Sequence, residues 1–215
     1  MLATRLSLPF FAALLVAPSP AQVFGPREPI TFTQGFPTSL AHGDIDADGD
    51  VDLVVARGIF STSSGPGIGL YRNQGDGTFT GPQTVSASTE DFDDVLLLDA
   101  DADGDLDLAA AGRTEVTLLE NLGGGSFGPP GAPIATGFQF ELASGDLNGD
   151  GALDVVGIDT FFPGQVWALL QSPTGGFGPL VVLDANAGRV NDVATADVNG
   201  DGHLDIVTVR DTSND

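Results

Sequence analysis

The chain has no cysteine and no lysine among its 215 residues, and only two histidines, one methionine, one tryptophan and one tyrosine. Without cysteine there is no disulfide framework and no thiolate metal site. Zinc held by sulfur is therefore excluded, and His42 and His203 are too few for a histidine-rich metal centre. All 7 basic residues are arginines, set against 30 Asp and Glu, for a net charge of −23. So few cations cannot neutralise a phosphate backbone, which argues against nucleic acid as a partner. The same surplus argues against an anionic membrane surface. Acidity this strong in an apolar-poor chain would signal disorder. Here 41% of residues are hydrophobic, so the acid must sit in a folded chain and something should offset it. Bound cations are the obvious candidate.

The first 21 residues differ from the rest. Arg5 precedes an apolar run from Leu6 to Ala17, broken by Ser7 and Pro9, and Ser19-Pro20-Ala21 then places small residues at a cleavage site. This is the pattern of a secretory signal peptide, with a mature N-terminus expected at Gln22. It is too short for a membrane span, so no membrane insertion is expected after cleavage. The expected location is outside the cytoplasm: secreted, at the cell surface or periplasmic.

Residues 22–215 are repetitive. One nine-residue pattern occurs four times, at Asp44 (DIDADGDVD), Asp99 (DADADGDLD), Asp146 (DLNGDGALD) and Asp197 (DVNGDGHLD), with successive offsets of 55, 47 and 51 residues. A short alternating segment precedes each copy and an apolar strand follows it. A third strand then ends in a Gly turn, and a fourth is expected to open at Phe79, Phe127 and Phe177. No stretch of the mature chain has helical periodicity. Four short strands per unit of this length predict an all-β, β-propeller-like array of four-stranded blades. Phe24-Gly25-Pro26 with Ile30-Thr31-Phe32 matches a lone fourth strand, and the last unit holds only its first two. The expected array is thus incomplete, with three full blades and two partial ones, and open strand edges of that kind invite self-association.

The acidic loops carry the chemistry. Position 1 is Asp44, Asp99, Asp146 or Asp197, and position 3 is Asp46, Asp101, Asn148 or Asn199. Position 5 is Asp48, Asp103, Asp150 or Asp201, and position 9 is Asp52, Asp107, Asp154 or Asp205. Gly49, Gly104, Gly151 and Gly202 hold position 6, where a positive φ lets the chain fold round a centre. Position 7 varies among Asp50, Asp105, Ala152 and His203, as expected if only its carbonyl binds. Alternating oxygen donors in a tight loop suit a hard cation, and the flexible, all-oxygen set favours Ca²⁺ over Mg²⁺. Up to four Ca²⁺ ions are expected. Asp-Asn-Gly turns are ordinary, but clustered carboxylates repel by about 1 kcal/mol per pair even in water, a cost not expected four times without a cation. An EF-hand would need a Glu at position 12 and flanking helices. Val55, Ala110, Gly157 and Thr208 stand there instead.

D-x-[DN]-x-D-G-x-x-D ahead of an apolar strand, with Phe-Gly and Gly-Pro later in each unit, resembles the FG-GAP/VCBS-type repeat family. That family includes the propeller of integrin alpha subunits and many bacterial secreted proteins. The resemblance covers residues 24–215. It implies propeller blades whose loops bind Ca²⁺ between the first two strands.

Three functions follow as expectations. The first is a secreted, calcium-stabilised module that binds an unidentified protein or glycan in adhesion and is not an enzyme. The second is the scaffold of a polysaccharide lyase or hydrolase. For that, Glu90, Asp91, Asp93 and Asp94 form the one candidate carboxylate group, and no Ser-His-Asp set or lysine base accompanies them. The third is a non-functional fragment of a longer propeller. Trp167, Tyr71 and the phenylalanines fall within strand patterns and are expected in the core rather than on a sugar-binding platform.

Overall fold

The computed structural model describes residues 36–58, 67–86, 91–137, 140–160 and 163–211. The expected signal peptide, residues 1–21, and the expected strand around Ile30–Phe32 lie outside them, as does Glu90. Among the described residues the secondary structure is all β, and no helix is long and apolar enough to cross a membrane.

The strands form antiparallel meanders in chain order. The first sheet is β1 (Phe36–Gly43), β2 (Asp52–Gly58), β3 (Gly67–Asn73) and β4 (Phe79–Ser86). The second is β5 (Phe92–Leu98), β6 (Asp107–Gly112), β7 (Glu115–Leu119) and β8 (Pro133–Thr136). The third is β9 (Phe140–Gly145), β10 (Asp154–Asp159), β11 (Gln165–Leu169) and β12 (Val181–Asp184). A two-stranded sheet follows, β13 (Arg189–Ala196) with β14 (Asp205–Asp211).

Successive sheets pack face to face, and the cores lie between them. Val54, Ala56, Ile68 and Leu70 of the first sheet meet Phe92, Val95, Leu108, Ala110 and Leu119 of the second. Ala109, Ala111 and Val116 meet Val155, Trp167 and Leu169. Val156, Ile158 and Val166 meet Val190 and Val193. The period of two explains the second strands. Leu108 and Ala110 face one neighbour, and Ala109 and Ala111 face the other. Burial on both faces is why these strands read as continuous apolar runs rather than alternating ones.

Two of the three expected fourth strands begin later than the sequence suggests. Phe79 opens β4, but Phe127 and Phe177 sit in isolated bridges to Asn121 and Gln171, ahead of β8 and β12. Pro129-Pro130 and Pro179 follow them, and proline has no N–H to give a ladder. The two rings instead pack against the cores between sheets.

Candidate metal loops

Each acidic segment is the hairpin loop between the first and second strand of its sheet, in one register. Gly43 pairs with Asp52, Leu98 with Asp107, Gly145 with Asp154 and Ala196 with Asp205. Position 9 is therefore the first residue of the second strand, and the loop proper spans positions 1 to 8.

The loops fold on their own carboxylates. Position 1 accepts the backbone N–H groups of positions 5 and 6. Asp48 and Gly49 donate to Asp44 at 3.1 and 3.0 Å, and Asp103 and Gly104 donate to Asp99 at the same distances. Asp150 and Gly151 donate to Asp146, and Asp201 and Gly202 to Asp197, at 3.1 and 2.9 Å. Position 5 accepts the N–H of position 7 at 2.9 Å in all four copies. Asp50, Asp105, Ala152 and His203 are thus fixed through their backbone, whatever their side chains. Position 6 lies at positive φ in each loop, between +89° and +98°. Position 4 does too: Ala47 at 60°, Ala102 at 64°, and Gly149 and Gly200 at 78°.

Position 9 does more than face the loop. Asp52, Asp107 and Asp154 are buried, and each holds two backbone amides. One amide comes from position 2: Ile45 at 3.3 Å, Ala100 at 2.8 Å and Leu147 at 2.9 Å. The other comes from the end of the third strand or just past it: Asn73, the last residue of β3, and Asn121 and Gln171, two residues beyond β7 and β11, each at 2.8 Å. This carboxylate therefore ties the loop to the third strand of its own sheet. Asp205 is half-buried and accepts from Val198 at 3.1 Å. Burial raises the pKa of Asp52 and Asp107; the amide bonds oppose this, and the neighbouring Asp46 and Asp48, or Asp101 and Asp103, add to it. A cation beside them would pull the other way. Asp197 is exposed, and its amide bonds, that from Gly202 foremost, hold its carboxyl below the usual range.

The same third-strand ends reach the preceding sheet. The Asn121 side-chain amide donates to the Ile45 carbonyl at 2.9 Å, and that of Gln171 to the Asp99 carbonyl at 2.5 Å. Gly176 N–H donates to the Ala100 carbonyl at 2.7 Å. Arg72 donates to Asp46 and to the Gly124 and Gly125 carbonyls of the second sheet's turn. Arg72, Asn73, Asn121 and Gln171 lie outside the acidic-loop pattern. The one available signal was an Asn or Gln recurring just before each Gly turn.

The residues fit a hard cation. Asp44, Asp46 and Asp48 offer ligand atoms within 4.8 Å of one another, and so do Asp99, Asp101 and Asp107. Asp46 Oδ1 is buried without a hydrogen-bond partner, the state of an oxygen that a cation would satisfy. The third and fourth loops place Asn148 and Asn199 at position 3, each accepting the position 5 N–H at 2.9 and 2.8 Å. The Asn148 amide also donates to Asp150 Oδ2 at 3.0 Å. No carboxylate trio as close as the first two is found in these loops among the described residues.

Stacked four-stranded antiparallel sheets, each with an acidic hairpin loop between its first two strands, define a β-repeat protein of the propeller type. The FG-GAP-like repeat matches residues 44–110, 99–157 and 146–208, and the chain belongs to that family. Among curated proteins, none matches the chain.

Proposed function

We propose that this protein is a secreted binding module whose four acidic loops hold Ca²⁺, with calcium stabilising the fold and a protein or glycan partner engaged through the exposed loops. The observation that carries this reading is one hydrogen-bonded loop geometry repeated four times, with carboxylate oxygens converging in the first two loops and Asp46 Oδ1 left unsatisfied in a buried place. An all-oxygen set of this flexibility suits Ca²⁺, and membership of the repeat family agrees with it. Position 1 would hold the ion at the loop's start and position 9 at the strand it leads into. Bound there, calcium would neutralise the carboxylates and cross-link the first two strands. The signal-peptide pattern of residues 1–21 supports export, where calcium is plentiful.

A binding role is favoured over a catalytic one by what holds the candidate carboxylates. Asp94 accepts bonds from the Ser39 hydroxyl at 2.5 Å and the Leu142 N–H at 2.8 Å, joining three sheets. Asp91 lies 3.8 Å from Arg113. These contacts suit structural work.

Each site binds the folded chain better than the unfolded one, which does not assemble the ligands. At about 100 times its Kd, calcium adds roughly 2.7 kcal/mol per site. The test is a thermal melt followed by circular dichroism, in excess calcium and then in excess chelator. Chelation is expected to lower the midpoint by 10 °C or more, roughly what a loss of a few kcal/mol produces in a domain of this size. An unchanged midpoint would overturn the reading.

A further inference from the structure

Ligand charge alone ranks the Asp44 and Asp99 loops as equals, with Asp at positions 1, 3, 5 and 9 in each. Their surroundings differ. The residue before the third-strand Asn or Gln is Arg72 in the first sheet, Glu120 in the second and Leu170 in the third. These positions are equivalent, because Asn73, Asn121 and Gln171 make the same bond to position 9. Of these three loops, the first alone has a cation of its own at this position. The guanidinium donates to Asp46 Oδ2, and its second nitrogen donates to the Gly124 carbonyl at 2.9 Å and the Gly125 carbonyl at 3.2 Å. Asp46 is a position 3 donor, and its other oxygen is the buried, unpartnered one. Gly125 also leaves room for the guanidinium: a Cβ there would lie 2.7 Å from Arg72 Nη2.

We propose that Arg72 is a built-in counter-cation of the first loop, which holds its calcium affinity below that of the Asp99 loop and joins that loop to the turn of the second sheet. The inference rests on the calcium reading above. A guanidinium cannot lose its proton, so its charge stays beside any arriving ion. Unit charges 4 Å apart interact by about 1 kcal/mol in water, and by more in a partly dry site. A divalent ion doubles the effect, and 1.4 kcal/mol is a factor of ten. The first loop should therefore bind calcium about tenfold more weakly than the second. The second loop is joined to its neighbour without a charge, through the backbone bond from Gly176 and the Gln171 amide.

The test is a calcium titration of the full chain, ¹⁵N-labelled, with the amides of Gly49, Gly104, Gly151 and Gly202 reporting one loop each. Gly104 is expected to respond at about tenfold lower calcium than Gly49. Arg72→Gln should bring the Gly49 midpoint down to that of Gly104 and leave Gly151 unmoved. Arg72→Lys keeps the charge and should keep the weak midpoint. The proposal is overturned if Gly49 and Gly104 fill together in the unaltered chain. It is equally overturned if Arg72→Gln leaves Gly49 unmoved or weakens it, or if the lysine variant behaves like the glutamine one. Silence from all four glycines would instead sink the calcium reading itself. The comparison within the unaltered chain stands even if a variant fails to fold.

Discussion

At the scale of single residues, the acidic loop demands two left-handed positions, 4 and 6. Position 6 is Gly in all four copies, so its positive φ is legible from composition. Position 4 is hidden, because Ala47 and Ala102 occupy it in two loops and Gly149 and Gly200 in the others. A left-handed alanine costs roughly 1–2 kcal/mol, and glycine returns about 0.5–1 kcal/mol of that as chain entropy lost on folding. Ala47→Gly and Ala102→Gly should therefore each stabilise the protein by about 0.5–1 kcal/mol. Urea unfolding in calcium checks this, and destabilisation by either substitution would mean the loops do not need that geometry. The role of position 9 was half legible. Its acid marks it as an oxygen donor, but its hold on the third strand depends on partners 14 to 21 residues away. Loop spacing contains no trace of that distance.

At the scale of elements, the strands and their order could be read because each rests on local signals: period two, Gly turns and the acidic loop that separates first strand from second. The late start of β8 and β12 could also have been read, from the prolines after Phe127 and Phe177. What could not be read is the contact between sheets. Gly157 shows why. It stands at position 12, where Val55, Ala110 and Thr208 stand in the other units, and nothing local demands glycine, since its φ is not positive. The reason lies on the adjoining strand. Gly157 pairs with Trp167, and a Cβ at 157 would sit 2.0 Å from the indole Cζ2. The indole is 2% exposed and packed among Leu98, Val155 and Leu169, so it has nowhere to move. Gly157→Ala should cost about 1–3 kcal/mol, the usual penalty of overfilling a packed core. Trp167 is the only tryptophan, so its fluorescence during urea unfolding reports on that site, and an unchanged midpoint would refute the contact.

At the scale of the whole described chain, the repeat aligns a second set of polar groups that the loops do not use. Ser39, Asp94, Glu141 and Asp192 each stand five residues before a loop's first Asp, on the first strands β1, β5, β9 and β13. Backbone irregularities just precede three of them, at Pro37/Ser39, Phe92/Asp94 and Val190/Asp192. Ser39 and Leu142 both donate to Asp94, so the row crosses from sheet to sheet. Glu141 is the least comfortable member. Burial first, and then the charges of Asp94, Asp192 and Asp93, push its pKa up to about 7. Burial likewise raises Asp94, against the bonds from Ser39, Leu142 and Val95. In the unfolded chain a glutamate titrates near 4.3. At low pH, Glu141 is protonated in both states and affects stability little. As pH rises from about 4.5 to about 7, the folded chain keeps a proton that the unfolded chain has released, so stability falls across that window. Calcium binding has the opposite slope, because its carboxylates must be ionised, so the two effects must be separated by chelation. In excess chelator, Glu141→Gln should raise the melting midpoint at pH 8 and raise it much less at pH 5, because the amide keeps the shape without the charge. Melts of both proteins at the two pH values decide the matter. An equal loss at both would mean that the carboxyl makes a contact the fold requires. A gain much larger at pH 8 than at pH 5 would mean that Glu141, like the loop acids, is a cost of the repeat that the folded chain carries until something neutralises it.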